Sequence, residues 1–187
     1  MTVLDQFRLD GKTALVTGAS RGLGQAIAIG LAEAGADIIA VASRAENAAE
    51  TAKKIEKLGR KCVALGCDQS SAKEILTTTD KALEFSGRVD ILVNNAGTIA
   101  RAPAVATSDE DWDAVIETNL NGVFRFCRGI GKSMLAQGSG KIVNIASLLS
   151  FQGGITVPAY AASKGGVAQL TKALANEWAP HGINVNA

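Results

Sequence analysis

The sequence predicts a doubly wound parallel α/β sheet, and three observations support this fold class. Short apolar runs alternate with longer segments of helical period, which is typical of βαβ units. A glycine-rich turn, Thr17–Gly24, lies between the first apolar run and the first helical segment. Ser147 follows a later apolar run, at the strand end where open α/β sheets bind their ligands. We therefore expect one domain with a ligand cleft along the carboxyl edge of its sheet.

The strands are predicted from aliphatic and β-branched runs bounded by turn residues. Their expected bounds are Thr13–Thr17, Asp37–Ala42, Lys61–Gly66, Asp90–Asn94, Lys141–Ala146 and Ile183 onward. Right-handed crossovers between these strands would give a six-stranded parallel sheet. The sequence reaches Ala187 as the sixth strand begins, so we expect the fold to be truncated there.

The helices are predicted from segments of helical period between these strands. Their expected bounds are Leu23–Ala34, Ala45–Leu58, Ala72–Phe85, Asp109–Ala136 and Ala159–Ala179. Ser108 with Asp111 three residues later resembles a capping box at the start of the fourth helix. Pro158 suits the first turn of the fifth helix, where a proline leaves no intrahelical donor unpaired.

Length and composition favour a small-molecule protein of one domain. The 187 residues are 47% apolar, enough to bury a core, and the formal net charge is +1. The basic residues are scattered, with Lys53-Lys54 the densest doublet, so no basic surface for nucleic acid or membrane is predicted. No apolar run approaches the roughly 18 residues of a membrane-spanning helix. We expect a cytoplasmic protein with a small-molecule substrate.

Cysteine and histidine spacing argues against a metal site or a disulfide. Cys62, Cys67 and Cys127 form no C-x-x-C motif, and the first two would face opposite sides of a strand. The single histidine, His181, lies in a Pro-His-Gly breaker that ends a helical segment, where a structural role is expected.

The glycine turn predicts a phosphate site. Gly18, Gly22 and Gly24 lie between a strand and a helix, where bare backbone amides bind pyrophosphate. Their G-x-x-x-G-x-G spacing differs from the commoner G-x-G-x-x-G, and a plain tight turn is the alternative. The stretch also matches a G-x-S-x-G hydrolase elbow at Ser20, but such a triad needs a later histidine, and only His181 is available. Ser20 is therefore interpreted as a cofactor or turn hydroxyl.

The end of the second strand favours NADP over NAD. Ser43 and Arg44 occupy the place where NAD-preferring enzymes carry an acidic residue. Arg21 in the glycine turn and Arg44 could together hold a 2′-phosphate, because guanidinium pairs well with phosphate oxygens. The alternative is that both arginines are ordinary surface residues and that NAD is used.

One tyrosine and one lysine indicate hydride chemistry on an alcohol or ketone. Tyr160, the only tyrosine, precedes Lys164 by four residues, so a helix places both on one face. The ammonium would favour the phenolate and bring a phenol of ordinary pKa about 10 into the range of a general base. Ser147, thirteen residues earlier, could polarise the substrate oxygen.

These motifs stand in the order of a known enzyme family. With TGASRGLG, Asn94-Asn95-Ala96-Gly97, Ser147 and Tyr160-x-x-x-Lys164, the chain resembles the short-chain dehydrogenase/reductase family over essentially its whole length. The resemblance implies a Rossmann fold, an NAD(P) cofactor, Tyr160 as catalytic acid/base, Lys164 lowering its pKa and binding the nicotinamide ribose, and Ser147 orienting the substrate oxygen. It also implies that Asn119 holds a proton-relay water.

Asn119 and Asp68 also have interpretations that do not depend on the resemblance. Asparagine is a poor helix former, so Asn119 predicts a backbone distortion or a hydrogen-bond network, with an exposed helix residue as the alternative. Asp68 matches the family position that contacts adenine, but it could equally cap or turn the chain before the third helix. The full cofactor set implied is Gly18, Ser20, Arg21, Gly22, Leu23, Gly24, Ser43, Arg44, Asp68, Asn95, Ala96, Gly97, Tyr160 and Lys164.

The substrate side resembles the branch that contains gluconate and deoxygluconate dehydrogenases. The resemblance lies in the segments Ala146–Gly154 and Asn95–Arg101. A polyhydroxy carboxylate would need an arginine and amide groups, so Arg101 and Gln152 join Ser147 and Tyr160 as candidate substrate residues. Two alternatives stay open: a 3-oxoacyl carrier protein reductase, which shares the catalytic residues, and a non-catalytic dinucleotide-binding protein.

The resemblance also sets expectations for assembly and for the end of the chain. The family's substrate lid, seventh strand and last helices are absent from this sequence, and closure of such a lid usually completes the pocket. Family members are usually tetramers built partly on their long helices, here Asp109–Ala136 and Ala159–Ala179. We therefore expect a homo-oligomer, either a tetramer or a dimer.

Overall fold

A parallel sheet of six strands forms the centre of the molecule, whose computed structural model describes residues 2–187. The strands are β1 (Thr13–Thr17), β2 (Asp37–Ala42), β3 (Cys62–Gly66), β4 (Ile91–Asn94), β5 (Gly140–Asn144) and β6 (Ile183–Asn186). Their order in the sheet is β3-β2-β1-β4-β5-β6, and every neighbouring pair is parallel. The predicted doubly wound class is confirmed, and the strand order reverses between β1 and β4, where such sheets open a ligand crevice.

The helices follow the strands in alternation. They are α1 (Gly22–Glu33), α2 (Ala49–Lys57), α3 (Ala72–Ser86), α4 (Asp109–Ile116), α5 (Gly122–Gln137), α6 (Leu149–Gln152) and α7 (Pro158–Trp178). The Ser108 hydroxyl accepts a hydrogen bond from the Asp111 amide at 3.1 Å, as the predicted cap requires. Pro158 occupies the first turn of α7, as its lack of an N–H predicts.

Two apolar layers enclose the sheet. Leu15 of β1 packs on one face with Phe126 of α5, while Val16 packs on the other face with Ala28 of α1. Alternate residues of a strand point to opposite faces, so both layers draw on the same short strand. All five residues of β1 are buried, because helices cover both faces of a parallel sheet.

Several element bounds differ from the predicted ones. The long fourth helix is three pieces, α4, a π-helical turn at Glu117–Asn121, and α5. The predicted second helix begins as a 3-10 turn, Ala45–Ala48, and the fifth strand ends at Asn144 rather than Ala146. Short α6 was not predicted, because four residues carry too little periodicity. His181 lies in the 3-10 turn that ends α7, as predicted.

No helix within residues 2–187 combines the length and hydrophobicity that crossing a bilayer demands.

Candidate active site

Tyr160 and Lys164 face each other on the first turns of α7. The Lys164 Nζ lies 5.8 Å from the centroid of the Tyr160 ring. The amine also donates a hydrogen bond to the backbone oxygen of Ile145, just beyond β5. The i, i+4 spacing therefore brings the two groups together, at the carboxyl edge of the sheet.

Lys164 is a buried cation. Its residue is 4% exposed, and no carboxylate of residues 2–187 lies within ion-pair distance of its amine. Burial removes the ammonium from water, and this lowers the pKa of Lys164 below its ordinary value of 10.5. The Tyr160 ring is the aromatic group that lies next to this buried amine.

The lowered pKa of Lys164 predicts a pH-dependent stability. Below its folded pKa the protonated side chain carries the full desolvation cost, and this cost is relieved as the pH rises from that value toward 10.5. Wild-type protein should therefore gain stability relative to Lys164→Met between neutral pH and about pH 10. Urea unfolding of both proteins across this range measures the difference, and a difference that is constant with pH would contradict the assignment.

Ser147 lies in the turn between β5 and α6. Its Oγ accepts a hydrogen bond from the Leu149 amide at 3.1 Å, which fixes the hydroxyl while leaving its proton free to be donated. The Ser147 amide donates to the Ser150 Oγ at 3.2 Å, and that hydroxyl donates to the Lys164 backbone oxygen at 2.8 Å. These bonds tie the Ser147 turn to the helix that carries Tyr160.

Asn119 lies in the π turn between α4 and α5. It is fully buried, and its side-chain amide exchanges two hydrogen bonds of 2.8 Å with the backbone of Thr98. Its Nδ2 also lies 3.2 Å from the Ser163 Oγ on α7. Single π turns inside α-helices are frequent at functional sites. The predicted backbone distortion is confirmed, and Asn119 links the loop after β4 to α7.

A cavity of about 580 Å³ opens beside these residues at the switch point, and we call it the edge cavity. This volume is within the range of ligand pockets. Its lining residues are Gly18, Ser20, Arg21, Val41, Ala42, Ser43, Cys67, Asp68, Gln69, Asn95, Ala96, Gly97 and Thr118. Eight of the fourteen predicted cofactor residues line this cavity, whereas the other six are outside its lining: Gly22, Leu23, Gly24, Arg44, Tyr160 and Lys164.

The glycine turn leaves backbone donors open at one end of the edge cavity. Helix α1 begins after Arg21 with no side-chain cap and no acidic residue in its first turn. Its first amides are therefore available to an anion. Gly22 has a φ of 58° and open space where a Cβ would lie. Both features fit the pyrophosphate of a dinucleotide.

The loop after β4 closes against the glycine turn. The Thr17 Oγ1 accepts hydrogen bonds from the amides of Asn95 at 3.1 Å and Ala96 at 3.0 Å. Asn95 in turn donates its side-chain Nδ2 to the Thr17 oxygen at 3.0 Å. A Cβ on Gly18 would lie 2.9 Å from the Ala96 Cα, so only glycine permits this approach. The two segments therefore form one wall of the edge cavity.

Three charged residues predicted for the cofactor site, Arg21, Arg44 and Asp68, lie at or near the edge cavity. Arg21 and Arg44 are exposed and in none of the ion pairs of residues 2–187. The Asp68 Oδ1 accepts hydrogen bonds from the Ser70 amide at 2.9 Å and hydroxyl at 2.7 Å. Ser71, not Asp68, caps α3, so Asp68 is a turn residue on the cavity wall.

The catalytic candidates meet the edge cavity at Gly97. A Cβ on Gly97 would lie 3.2 Å from the Asn119 Oδ1 and 3.8 Å from the Lys164 Nζ. Arg101 and Gln152 are exposed. The two segments that carry them are adjacent, because the Ala102 amide donates a hydrogen bond to the Thr156 oxygen at 3.0 Å. The two predicted substrate residues therefore lie on adjoining segments outside the edge cavity.

Sequence reasoning missed five residues of the cavity wall, Val41, Ala42, Cys67, Gln69 and Thr118. Gln69 and Thr118 are adjacent in sequence to the predicted site residues Asp68 and Asn119, and this adjacency was the only available signal for them.

Known proteins resemble the chain over nearly all of its length. A 2-dehydro-3-deoxy-D-gluconate 5-dehydrogenase of Pseudoalteromonas atlantica is 53% identical over 99% of the chain, which spans 73% of that relative. A 3-oxoacyl-[acyl-carrier-protein] reductase of Thermotoga maritima is 39% identical over 96% of the chain and 73% of its own length.

A solved structure agrees in fold as well as in sequence. The gluconate 5-dehydrogenase of Burkholderia cenocepacia J2315, in complex with NADP and tartrate, superimposes with a TM-score of 0.94. The two share 41% identity over 99% of this chain and 72% of the other. The family model described as short chain dehydrogenase matches residues 12–187. With its sheet, glycine turn and Tyr160–Lys164 pair, this chain belongs to the short-chain dehydrogenase family.

Proposed function

We propose that this protein is an NADP-dependent dehydrogenase that interconverts a secondary alcohol and a ketone on a gluconate-type sugar acid. The observation that carries the proposal is the buried Lys164 amine, 5.8 Å from the Tyr160 ring at the carboxyl edge of the sheet. The relatives reported above support the substrate class, since the sugar-acid dehydrogenase is more similar to the chain than the acyl carrier protein reductase is.

Tyr160 performs the proton step. As the alcohol carbon loses its hydride, the Tyr160 phenolate accepts the hydroxyl proton, and in the reverse direction the phenol returns it. Lys164 favours the phenolate through its positive charge and contributes a donor for the nicotinamide ribose. A bound nicotinamide would supply the hydride acceptor at C4.

Ser147 and Asn119 support this step from either side. Ser147 donates its hydroxyl proton to the substrate oxygen, because its own Oγ is already oriented by the Leu149 amide. Asn119 lies beside Lys164 and holds a water that passes protons to solvent. Asp68 is the adenine-side residue, and the amides after Gly22 hold the pyrophosphate.

The test is turnover of purified protein with a panel of aldonates and deoxyaldonates, each assayed with NADP and with NAD. Oxidation of at least one sugar acid with NADP is expected. Reduction of acetoacetyl thioester with NADPH, without turnover of any sugar acid, would favour a 3-oxoacyl reductase instead. Tight NADP binding without turnover on any alcohol would favour a non-catalytic binding protein.

Arg21 and Arg44 are proposed to select NADP by pairing with its 2′-phosphate. Arg21→Ala should weaken NADP binding by roughly 10-fold to 100-fold, since a hydrogen bond to a charged group contributes about 1.5–3 kcal/mol. Arg44→Ala should act in the same direction with a smaller effect, because Arg44 is outside the cavity lining. Calorimetric titration measures both, with NAD binding as the internal control. Equal losses for NADP and NAD would contradict this role.

Arg101 is proposed to anchor the substrate carboxylate. Arg101→Ala should raise the KM for a sugar acid about tenfold or more, because a charge-assisted hydrogen bond is lost. The corresponding uncharged polyol is the matched control, and its KM should not change. An unchanged KM for the sugar acid would show that Arg101 does not contact the carboxylate.

The assembly is proposed to be a cytoplasmic homotetramer of single catalytic domains. Helices α4 and α5 leave Trp112 and Phe124 each 40% exposed, and Leu135 37% exposed. Burial of such side chains between copies would stabilise association. Sedimentation equilibrium of the protein determines the number of copies, and a monomer at micromolar concentration would contradict the proposal.

A further inference from the structure

Gln69 connects two parts of the site through one side-chain amide. The Nε2 donates to the Thr118 oxygen at 2.9 Å and lies 3.4 Å from the Ala96 oxygen. An amide nitrogen carries two hydrogens, so both are used. Thr118 precedes Asn119 in the π turn, and Ala96 precedes Gly97 in the loop after β4. Gln69 therefore bridges the backbone neighbours of two site residues.

The absence of a side chain at Gly122 leaves room for the side chain of Gln69. Gln69 is 7% exposed, and a Cβ on Gly122 would lie 2.6 Å from its Cγ. Gly122 ends the π turn, so glycine at this position lets Gln69 pack directly on that turn. The next residue, Ser70, accepts a hydrogen bond from the Arg125 guanidinium at 3.4 Å. The segment after β3 thus contacts the π turn at Thr118 and the first turn of α5 at Gly122 and Arg125.

The π turn is a rare conformation with i to i+5 hydrogen bonds, found mostly as a single turn within an α-helix and frequently at functional sites. The π turn gives Asn119 its buried position, and the Asn119 side chain meets Thr98 in two hydrogen bonds. A donor at the Thr118 oxygen, one residue away, therefore acts on the orientation of Asn119. Gln69 itself lies on the cavity wall next to Asp68, far along the chain from the π turn.

We propose that Gln69 is a positioning residue, whose amide holds the π turn against the loop after β4 and thereby fixes Asn119 beside Lys164. This inference rests on the proposed function for its effect on turnover. Its effect on the position of Asn119 is independent of that function, since the contacts involve only this chain's own residues.

Two variants remove the donor in different ways. Gln69→Met keeps the length and apolar body of the side chain but has no N–H, while Gln69→Glu keeps its shape and at neutral pH turns a carboxylate toward two carbonyl oxygens. Gln6→Met is the matched control, because Gln6 is exposed in the amino-terminal 3-10 turn. We expect the first two variants to act and the control to match wild type.

The first readout needs neither cofactor nor substrate. The Thr98 amide donates to the Asn119 Oδ1 at 2.8 Å, so its hydrogen exchange reports whether Asn119 stays in place. Exchange of this amide should accelerate roughly tenfold in both Gln69 variants, which corresponds to one lost hydrogen bond. Unchanged exchange at Thr98 in both variants would overturn the proposal.

The second readout separates positioning from general stability. We expect kcat to fall about tenfold in Gln69→Met, while the Kd for NADP changes less than about threefold. The double variant with Asn119→Ala should be no slower than Asn119→Ala alone, because residues acting through one another are not additive. Additive losses, or a lower Tm with unchanged kcat, would assign Gln69 a structural role only. A wild-type protein without sugar-acid turnover would overturn the proposed function, yet the Thr98 exchange would still test Gln69.

Discussion

Tyr160→Phe should lower kcat by about 10² to 10⁴, because the substitution removes the one hydroxyl that exchanges the substrate proton. The volume change is small, so the fold and the contact with the Lys164 amine should persist. Steady-state turnover with a sugar acid that the substrate panel identifies measures the loss. The binding of NADP should change little, since the Tyr160 phenol is outside the edge cavity lining.

The Tyr160→Phe experiment has clear controls. Urea unfolding should show a similar free energy of unfolding for the variant and wild type. The loss of turnover is then not caused by unfolding of the variant. Lys164→Met should also lower kcat, because the buried amine beside the Tyr160 ring is gone. A loss smaller than about tenfold in Tyr160→Phe would contradict the general acid/base role.

Gly24→Ala should disrupt the phosphate end of the edge cavity. A Cβ on Gly24 would lie 2.1 Å from the Gly18 oxygen and 2.5 Å from the Asn95 Nδ2. The first neighbour is backbone and cannot rotate away, so α1 must move off the glycine turn. Overpacking usually costs about 1–3 kcal/mol, and contact with backbone places this variant at the upper end or beyond. The affinity for NADP should fall about 100-fold or more, which corresponds to about 2.7 kcal/mol.

The matched control for Gly24→Ala lies in the same helix. Gly30 is exposed on α1, and a Cβ there would meet no atom within 4 Å. Gly30→Ala should therefore stabilise the protein by about 0.5–1 kcal/mol through helix propensity and leave NADP binding unchanged. Urea unfolding and NADP titration of both variants provide the comparison. Equal behaviour of the two variants would show that the close approach of Gly24 to Gly18 is unimportant.

The strands and the pairing of Tyr160 with Lys164 were predictable because both follow from local periodicity. A strand that is buried on both faces is apolar at nearly every residue, and two residues four apart on a helix lie on one face. The bounds of β1 and β2 agree with the predicted ones for this reason. The end of β5 differs from the predicted bound. The Asn144 side chain is hydrogen-bonded to the buried side chains of Asn94 and Thr171, and no local sequence pattern records these contacts.

The sequence predicted a distortion of the helix at Asn119, but not that this distortion is a π turn. Asparagine within a helical pattern indicated that something interrupts the helix at Asn119, but not which residues stabilise the interruption. Those residues are Thr98, Ser163 and, through Thr118, Gln69, which come from three separate parts of the chain. Contacts between distant segments depend on how the elements pack, so the sequence around Asn119 contains no trace of them.

The sequence alone determined the fold class, the glycine turn at Gly18–Gly24 and the pairing of Tyr160 with Lys164, because periodicity, glycine spacing and helical register act over a few residues. Tertiary structure decided how deeply Lys164 is buried, which residues line the edge cavity, and that Gln69 meets the π turn. Each of these depends on the sheet order, which brings the ends of β3, β1 and β4 to one edge although they are far apart in the chain.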